Sequence, residues 1–470
     1  MRLVILSALC LSISSVVFAV QKTPPAPGPE RPLRLPQISE KKLENGLLVV
    51  VAPLPSIPKV TAFLSLRVGN GAMHQQQPGL PALAAEIINE GTQTRSSRQI
   101  QEELRSIGAS LTTGTDDDST QVRGSTLSEF TEKYLSLMSD VVRNPSFPDE
   151  EVNLAKQNTI QNIQAMRASP NFLGNERLRK AIFGDHPYSF VVADKSSIEK
   201  ITTADLKKFV SDYYVPNNAH LILVGSIQPA DAFSIAQKVF GSWKAKEVPA
   251  EELSDPGKRD RRQIYFVHRP GSVQSDISVG IATFPRKDVD YFAARTADTI
   301  FGGGSSSRLV QNIREKRGYT YSPFSVNFTM AKSGLFTVNA PVRNEVTGLT
   351  LVEIFYELDR LRIAEPTQQE LADAKMKQNG NFSVELASQS DLAGRIDTIY
   401  TFNLNKDFIQ SFRDKVNALN AGEVRKAAAK YFDSYRCALV IVGDYEQVKD
   451  QVTPFGDVTL YDAEGNVMKQ

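Results

Sequence analysis

Few side chains in this sequence are spaced so that they could carry out chemistry. The four histidines, His74, His186, His220 and His268, are scattered along 470 residues. No two of them have the spacing that puts two imidazoles on one helix face beside one metal ion. No serine or cysteine forms a recognisable nucleophile pattern with them. We therefore interpret the histidines as ordinary surface or strand residues.

Two other stretches contain residue types that bind ions in other proteins. Glu86 and Glu90 could share a hard cation, although a solvated helix face explains the same spacing. Residues 301–323, FGGGSSSRLVQNIREKRGYTYSP, form a glycine loop that leads into a helix, and Gly318 is expected to end that helix. The loop lacks the G-K-[ST] ending of a phosphate-binding loop, so the sequence does not predict a nucleotide site.

The N-terminal residues predict export. Arg2 precedes a short apolar run, and Val17 and Ala19 suit the cleavage positions of a signal peptide spanning residues 1–19. An uncleaved interfacial anchor is the alternative. Cleavage would leave Cys437 as the remaining cysteine, in the apolar run CALVIVG, where a buried strand thiol is expected. An exported chain without an internal disulfide fits the bacterial periplasm.

The rest of the chain is predicted to fold as two similar halves. A proline-rich tether covers 20–38, and a charged linker (243–263) separates an N-terminal domain (39–242) from a C-terminal domain (264–470). Both halves contain a Ser-Arg helix start, at Ser97-Arg98 and at Ser307-Arg308. Strands and amphipathic helices alternate irregularly, which favours an α+β class with helices packed on a mostly antiparallel sheet in each half. The 54 basic and 53 acidic residues nearly cancel, so no general field favours nucleic acid or an acidic membrane.

The stretch GLPALAAEIINEGT (79–92) resembles the inverted zinc motif G-L-A-H-x-x-E-H-x-x-x-x-G-T of the pitrilysin and insulinase zinc peptidases, in their processing-peptidase-like branch. The two ligand positions and the catalytic position of that motif hold Ala82, Glu86 and Ala85. AKQNTIQNI (155–163) puts Asn162, or Gln161 with a one-residue slip, where the resemblance implies the third ligand. Methyl groups cannot bind zinc and an amide is a poor ligand, so we predict no metal and no catalytic residues in this chain.

The resemblance extends to the second half, where residues 301–323 are similar to the family signature G-G-G-x-S-S-R-L-x-x-x-x-R-E-K-R-G-x-x-Y. It implies that Arg314 and Tyr321 hold substrate backbone. A guanidinium can donate to carbonyl oxygens and a phenol adds a hydroxyl beside it. The alternative is a surface charge and a core aromatic. SLTTGTDD (110–117) is either an edge strand offered to an extended peptide or an ordinary interior strand and loop.

The resemblance thus implies a non-catalytic, peptide-binding subunit of a heteromeric zinc metallopeptidase. A homologous partner would carry the zinc, and this chain would supply the Arg314 and Tyr321 clamp and need no cofactor of its own. Two alternatives are a stand-alone periplasmic peptide-binding protein or chaperone, and a scaffold subunit of an envelope complex.

Overall fold

Two six-stranded sheets, one in each half of the chain, form the framework of the protein. The computed structural model describes residues 32–33, 35–249, 256–257 and 259–469. The predicted signal peptide (1–19) and most of the tether (20–38) lie outside the described residues. The strands are β1 (Ser39–Lys42), β2 (Leu48–Pro53), β3 (Lys59–Leu66), β4 (Ser110–Thr115), β5 (Thr120–Leu127), β6 (Ala219–Gly225), β7 (Gln263–His268), β8 (Gln274–Thr283), β9 (Phe324–Thr329), β10 (Gly334–Arg343), β11 (Ala438–Gly443) and β12 (Val458–Tyr461).

The two sheets have matching strand orders. The first runs β1-β2-β6-β3-β5-β4 and the second β12-β7-β11-β8-β10-β9. The pairs β2–β6, β7–β11 and β7–β12 are parallel, and the other pairs are antiparallel. The predicted α+β class with two similar, mostly antiparallel halves is confirmed. The chain passes from one sheet to the other between Gly225 and Gln263, and the boundaries of the linker (243–263) stay a prediction.

Continuous apolar runs explain why β6 and β11 lie in the interior of their sheets. Every residue of β6 (AHLILVG) and of β11 (ALVIVG) is buried. Strands covered on both faces need apolar side chains throughout, whereas strands with one solvated face alternate. Cys437, immediately before β11, is also fully buried, as its apolar surroundings in the sequence indicated.

Helices cover both faces of the sheets. Four of them begin with a capping box. In this arrangement the side chain of the N-cap residue accepts from the backbone N–H three positions later, and the side chain of that later residue accepts from the N-cap backbone N–H. None of the helices in the described part of the chain is long and apolar enough to cross a membrane. The helices are α1 (Leu80–Ile87), α2 (Ser97–Ser106), α3 (Thr131–Arg143), α4 (Asp149–Arg167), α5 (Pro170–Phe183), α6 (Lys195–Lys200), α7 (Thr203–Tyr213), α8 (Pro229–Phe240), α9 (Tyr291–Phe301), α10 (Thr347–Ile363), α11 (Gln368–Glu385), α12 (Gln389–Thr401), α13 (Phe408–Ala418), α14 (Ala421–Tyr431), α15 (Tyr445–Val452) and a π-helix (Val310–Lys316).

The halves exchange one helix each. Helix α5 of the first half packs on β8 and β11 of the second sheet, and α12 of the second half packs on β3 and β6 of the first sheet. Asp397 of α12 accepts hydrogen bonds from Ser65 Oγ at 2.5 Å and Gln121 Nε2 at 3.1 Å, and lies 2.7 Å from His220 Nε2. Because this carboxylate is buried, these bonds fix α12 to the first sheet. His220 is therefore a structural strand residue.

Candidate functional site

Helix α1 contains the positions that match the inverted zinc motif. It begins after Gly79, whose φ of +87° is a conformation that favours glycine, and Pro81 occupies its first turn. Ala85 is buried, with 1% of its surface exposed, and Ala82 is half-buried. Glu86 is exposed, and its Oε2 accepts a hydrogen bond from Thr159 Oγ1 at 3.2 Å.

The contact from Glu86 to Thr159 places α1 against α4, the helix predicted to hold the third ligand. Thr159 lies one turn before Asn162 on α4, so the two predicted positions are on adjoining helices. Both Asn162 and Gln161 are exposed. Two methyl groups, one carboxylate and one amide do not fit the nitrogen- and oxygen-rich set that a catalytic zinc requires. Among the described residues, no group of three His, Cys, Asp or Glu side chains could hold a metal ion.

The histidines make structural contacts in separate places. The two ring nitrogens of His74 each lie 2.9 Å from a backbone carbonyl oxygen, of Gly71 and of Asp185. The Nδ1 atoms of His186 and His268 each accept a backbone N–H at 3.1 Å. These contacts agree with the interpretation of the histidines as ordinary structural residues.

Strand β4 lies at the edge of the first sheet, next to α1. It pairs with β5 on one side, and no described strand pairs with its other side. It also packs against α1. Of the two alternatives for residues 110–117, the edge strand is therefore the one observed. Its free N–H and C=O groups can bind the backbone of an extended peptide.

Arg314 and Tyr321 meet at the surface of the second half. Arg314 belongs to the π-helix Val310–Lys316, and Gly318 (φ +63°) ends that helix. The guanidinium carbon of Arg314 lies 4.3 Å from the centroid of the Tyr321 ring. Tyr321 is 79% exposed, so it is not a core aromatic. Such π-helical segments are rare and occur frequently at functional sites.

Two buried polar residues hold this segment in place. Arg308 is buried and donates to both carboxylate oxygens of Glu370, at 2.7 and 3.1 Å. Burial alone would raise the pKa of Glu370, but hydrogen bonds from Arg308 hold it below its usual value. Asn312 donates to Glu353 at 2.9 Å and to Glu357 at 3.0 Å on α10. The hydrogen bonds of Arg308 and Asn312 were not predicted from the sequence, although the Ser-Arg repeat had singled out Arg308.

A second contact missed from the sequence joins the two edge hairpins. Asp118, in the β4–β5 turn, accepts from the Ala331 backbone N–H at 3.0 Å in the β9–β10 turn and from the Tyr188 hydroxyl. The Tyr188 oxygen also accepts from the Lys332 N–H at 3.2 Å. Burial raises the pKa of Asp118 to about 6. The turns that end β4 and β9 are thus tied together across the two halves.

Comparisons with known proteins agree with this arrangement. The family model described as "Insulinase (Peptidase family M16)" matches residues 48–194, and that described as "Peptidase M16 inactive domain" matches residues 200–378. An uncharacterized zinc protease of Rickettsia felis is 25% identical over 409 residues, covering 85% of this chain and 96% of the relative. Cytochrome b-c1 complex subunit 1 of Caenorhabditis elegans is 25% identical over 435 residues, covering 87% of this chain and 89% of the relative.

A solved structure has the same fold over most of the chain. The peptidase M16 inactive domain from Pseudomonas fluorescens superposes with a TM-score of 0.82 at 26% identity, covering 87% of this chain and 98% of that chain.

Proposed function

Because the chain belongs to the M16 (insulinase) family of peptidases, we propose that it is a non-catalytic, peptide-binding subunit of a heteromeric zinc metallopeptidase. The observation that carries this proposal is the contrast between two sites. Helix α1 keeps the residues that flank the family's zinc motif, but the ligand and catalytic positions hold Ala82, Ala85 and Glu86. Arg314 and Tyr321, in contrast, stand together at the surface. The chemistry of the first site is lost, and the means to hold a peptide backbone remain.

In this proposal each subunit supplies one part of the reaction. A homologous partner would hold zinc, which polarises the peptide carbonyl and activates water when bound. This chain would donate hydrogen bonds from Arg314 and Tyr321 to substrate carbonyl oxygens. Edge strand β4 would pair with an extended peptide through main-chain bonds, which give affinity with little sequence preference. The assembly would act after export, in the periplasm.

The test is reconstitution. The purified chain should contain no stoichiometric zinc by elemental analysis and cleave no peptide, whereas mixing it with a zinc-bearing homologue should produce a complex that does. Gel filtration establishes assembly, and a fluorogenic peptide reports turnover. One tightly held zinc per chain, or cleavage by this chain alone, would contradict the proposal.

A scaffold role is the second candidate. It is favoured by the likeness to a protein that is, by its name, a subunit of a larger assembly, the cytochrome b-c1 complex. In that case the chain would co-purify with envelope proteins and would not alter the turnover of any zinc-bearing homologue. A stand-alone peptide binder would instead bind unfolded peptides without any partner.

A further inference from the structure

Two arginines in the second half contact one buried tyrosine, and a third interacts with them electrostatically. Tyr291, the first residue of α9, is 5% exposed. The guanidinium carbon of Arg286 lies 3.8 Å from its ring centroid, and Arg295 Nη1 donates to its hydroxyl at 2.7 Å. Arg395 of α12 lies against the neighbouring Phe382 ring, 5.6 Å from its centroid. We call Arg286, Arg295, Arg395 and Tyr291 the arginine cluster.

The arginine cluster has too few carboxylates for its charge. Arg395 forms an ion pair with Glu385 of α11. Within the described parts of the chain, neither Arg286 nor Arg295 forms an ion pair with a carboxylate. Arg286 is only 6% exposed. A buried cation without a counterion is costly, so an arrangement of this kind calls for a negative charge from elsewhere.

The other acidic side chains on α9 have partners of their own. Asp290 is bonded to Lys430 and to the Tyr431 hydroxyl at 2.6 and 2.8 Å. Asp298 accepts from Ser325 Oγ at 2.5 Å and from the Asn327 backbone N–H at 3.2 Å. Neither carboxylate neutralises the arginine cluster by direct contact.

The excess positive charge changes the acidity of the groups within the arginine cluster. Burial alone would raise the pKa of Tyr291, but the fields of Arg286 and Arg295 outweigh it and lower the pKa to about 8. Burial, together with repulsion from Arg295 and Arg286, lowers the pKa of Arg395 to about 10. Every other described tyrosine with a shifted pKa has it raised.

We propose that the arginine cluster is a binding site for a small oxyanion of the phosphate type. Three guanidinium groups against the carboxylate of Glu385 and that of Asp298, which interacts electrostatically with Arg295, leave a net positive charge, which an oxyanion balances. Guanidinium groups match the oxygens of phosphate with paired N–H donors. Arg395 retains 20% of its side-chain exposure and Glu385 37%, whereas Arg286 is buried, so Arg395 is the member of the arginine cluster that an anion would meet first.

Anion binding would affect the contact between the two halves of the chain, which α12 helps to form. Arg395 lies two residues before Asp397 on α12, the helix that bonds to the first sheet. Binding to the folded state alone raises the melting temperature in proportion to the logarithm of the ligand concentration. Phosphate should therefore stabilise the whole chain.

The experiment compares inorganic phosphate with sodium chloride at equal ionic strength, using the purified full chain. Phosphate should raise the melting temperature and bind with about one site per chain by calorimetry. It should also move the most acidic tyrosine titration, followed by tyrosinate absorbance, upward toward the ordinary value. Arg295→Gln should weaken phosphate binding roughly 10- to 100-fold, and Arg295→Lys should restore part of it.

Arg177→Gln is the matched control, because Arg177 also lies over a tyrosine ring, at 4.0 Å from the centroid of Tyr461, outside the arginine cluster. It should leave phosphate binding unchanged. If Arg295→Gln fails to fold, Arg395→Lys replaces it, since that variant keeps the charge and loses the paired donors. A phosphate response no larger than that of chloride, or equal responses in the wild type and a folded arginine-cluster variant, overturns the proposal.

Discussion

The guanidinium group of Arg314 lies over the ring of Tyr321, 4.3 Å from its centroid. Tyr321 is exposed and Arg314 is half-buried, and Arg314 Nε also forms an ion pair with Glu315 Oε1 at 3.2 Å. Stacking of this kind limits the rotamers of both residues. The hydrogen-bond donors of the two side chains would therefore already be positioned when a ligand binds.

The Arg314 and Tyr321 side chains should be dispensable for folding. Arg314→Ala and Tyr321→Phe remove groups at the surface, so each should change the free energy of unfolding by less than about 0.5 kcal/mol. Ile313→Ala is the matched control, because Ile313 belongs to the same π-helix and is fully buried. It should cost about 2–5 kcal/mol. Urea unfolding measures all three, and a large loss in Tyr321→Phe would make the pair structural.

The Arg308–Glu370 pair should hold the π-helix in place. Arg308→Lys cannot reproduce the two-pronged contact and should cost about 1–2 kcal/mol. Because the pKa of Glu370 is lowered in the folded protein, this contribution is present above its ordinary pKa and is lost as the pH falls through the lowered value. Hydrogen exchange of the segment at several pH values tests this. Arg360→Lys is the control, since Arg360 is 3.8 Å from the same carboxylate but more exposed; equal effects of both variants would refute the assignment.

The contribution of Asp118 to the stability of the fold should fall as the pH rises. The pKa of Asp118 is raised to about 6, so its stabilising protonated form is complete below its ordinary pKa and is lost as the pH rises through about 6. Asp118→Asn mimics that form. Its stability relative to wild type should grow on going from acidic to neutral pH, by on the order of 3 kcal/mol.

Asp117→Asn is the matched control for this titration. The neighbouring Asp117 forms a 2.7 Å ion pair with Arg179, and its loss should destabilise the protein at neutral pH. Melting temperatures across this pH range separate the two variants. A pH-independent difference between Asp118→Asn and wild type would contradict the account.

Restoring the donors should restore metal binding. Ala82→His, Ala85→Glu, Glu86→His and Asn162→Glu together place two imidazoles and a carboxylate on α1 and α4, whose contact is shown by the Glu86–Thr159 bond. The variant should bind one zinc by elemental analysis, although supporting hydrogen bonds to the ligands are missing and activity need not return. The same set without Ala82→His should bind far more weakly. A folded variant without zinc affinity would show that the alignment of α1 with the zinc motif is wrong.

Features defined by neighbouring residues could be predicted from the sequence, whereas contacts between residues far apart in the chain could not. Motifs such as Ala82 to Glu86 on α1 and Arg314 to Tyr321 could be proposed from the sequence because a few neighbouring residues define them, and their roles stay predictions. The repeat of apolar runs predicted the two sheets. The contact of Asp118 with Ala331 was not predictable, because it joins residues that only the assembled halves bring together.

The contacts of Arg308 and Asn312, and the arginine cluster, could not be predicted from the sequence for related reasons. The π-helix at Val310–Lys316 has no sequence pattern that separates it from an α-helix. Arg286 and Arg295 look like ordinary surface charges until packing against Tyr291 brings them together. Likewise, nothing near Asp397 indicates that α12 leaves its own half to pack on the first sheet.

The most direct test of the central claim is a double-mutant cycle on Arg314 and Tyr321 in the complex with a zinc-bearing partner. Each variant is mixed with the partner, assembly is confirmed by gel filtration, and kcat/KM for peptide cleavage is measured. Loss of charge-assisted hydrogen bonds should lower kcat/KM roughly 10- to 100-fold in Arg314→Ala. The double variant should lose less than the product of the two single effects, because both residues grip the same peptide. Wild-type turnover in an assembled double variant would contradict the claim that this chain supplies the clamp.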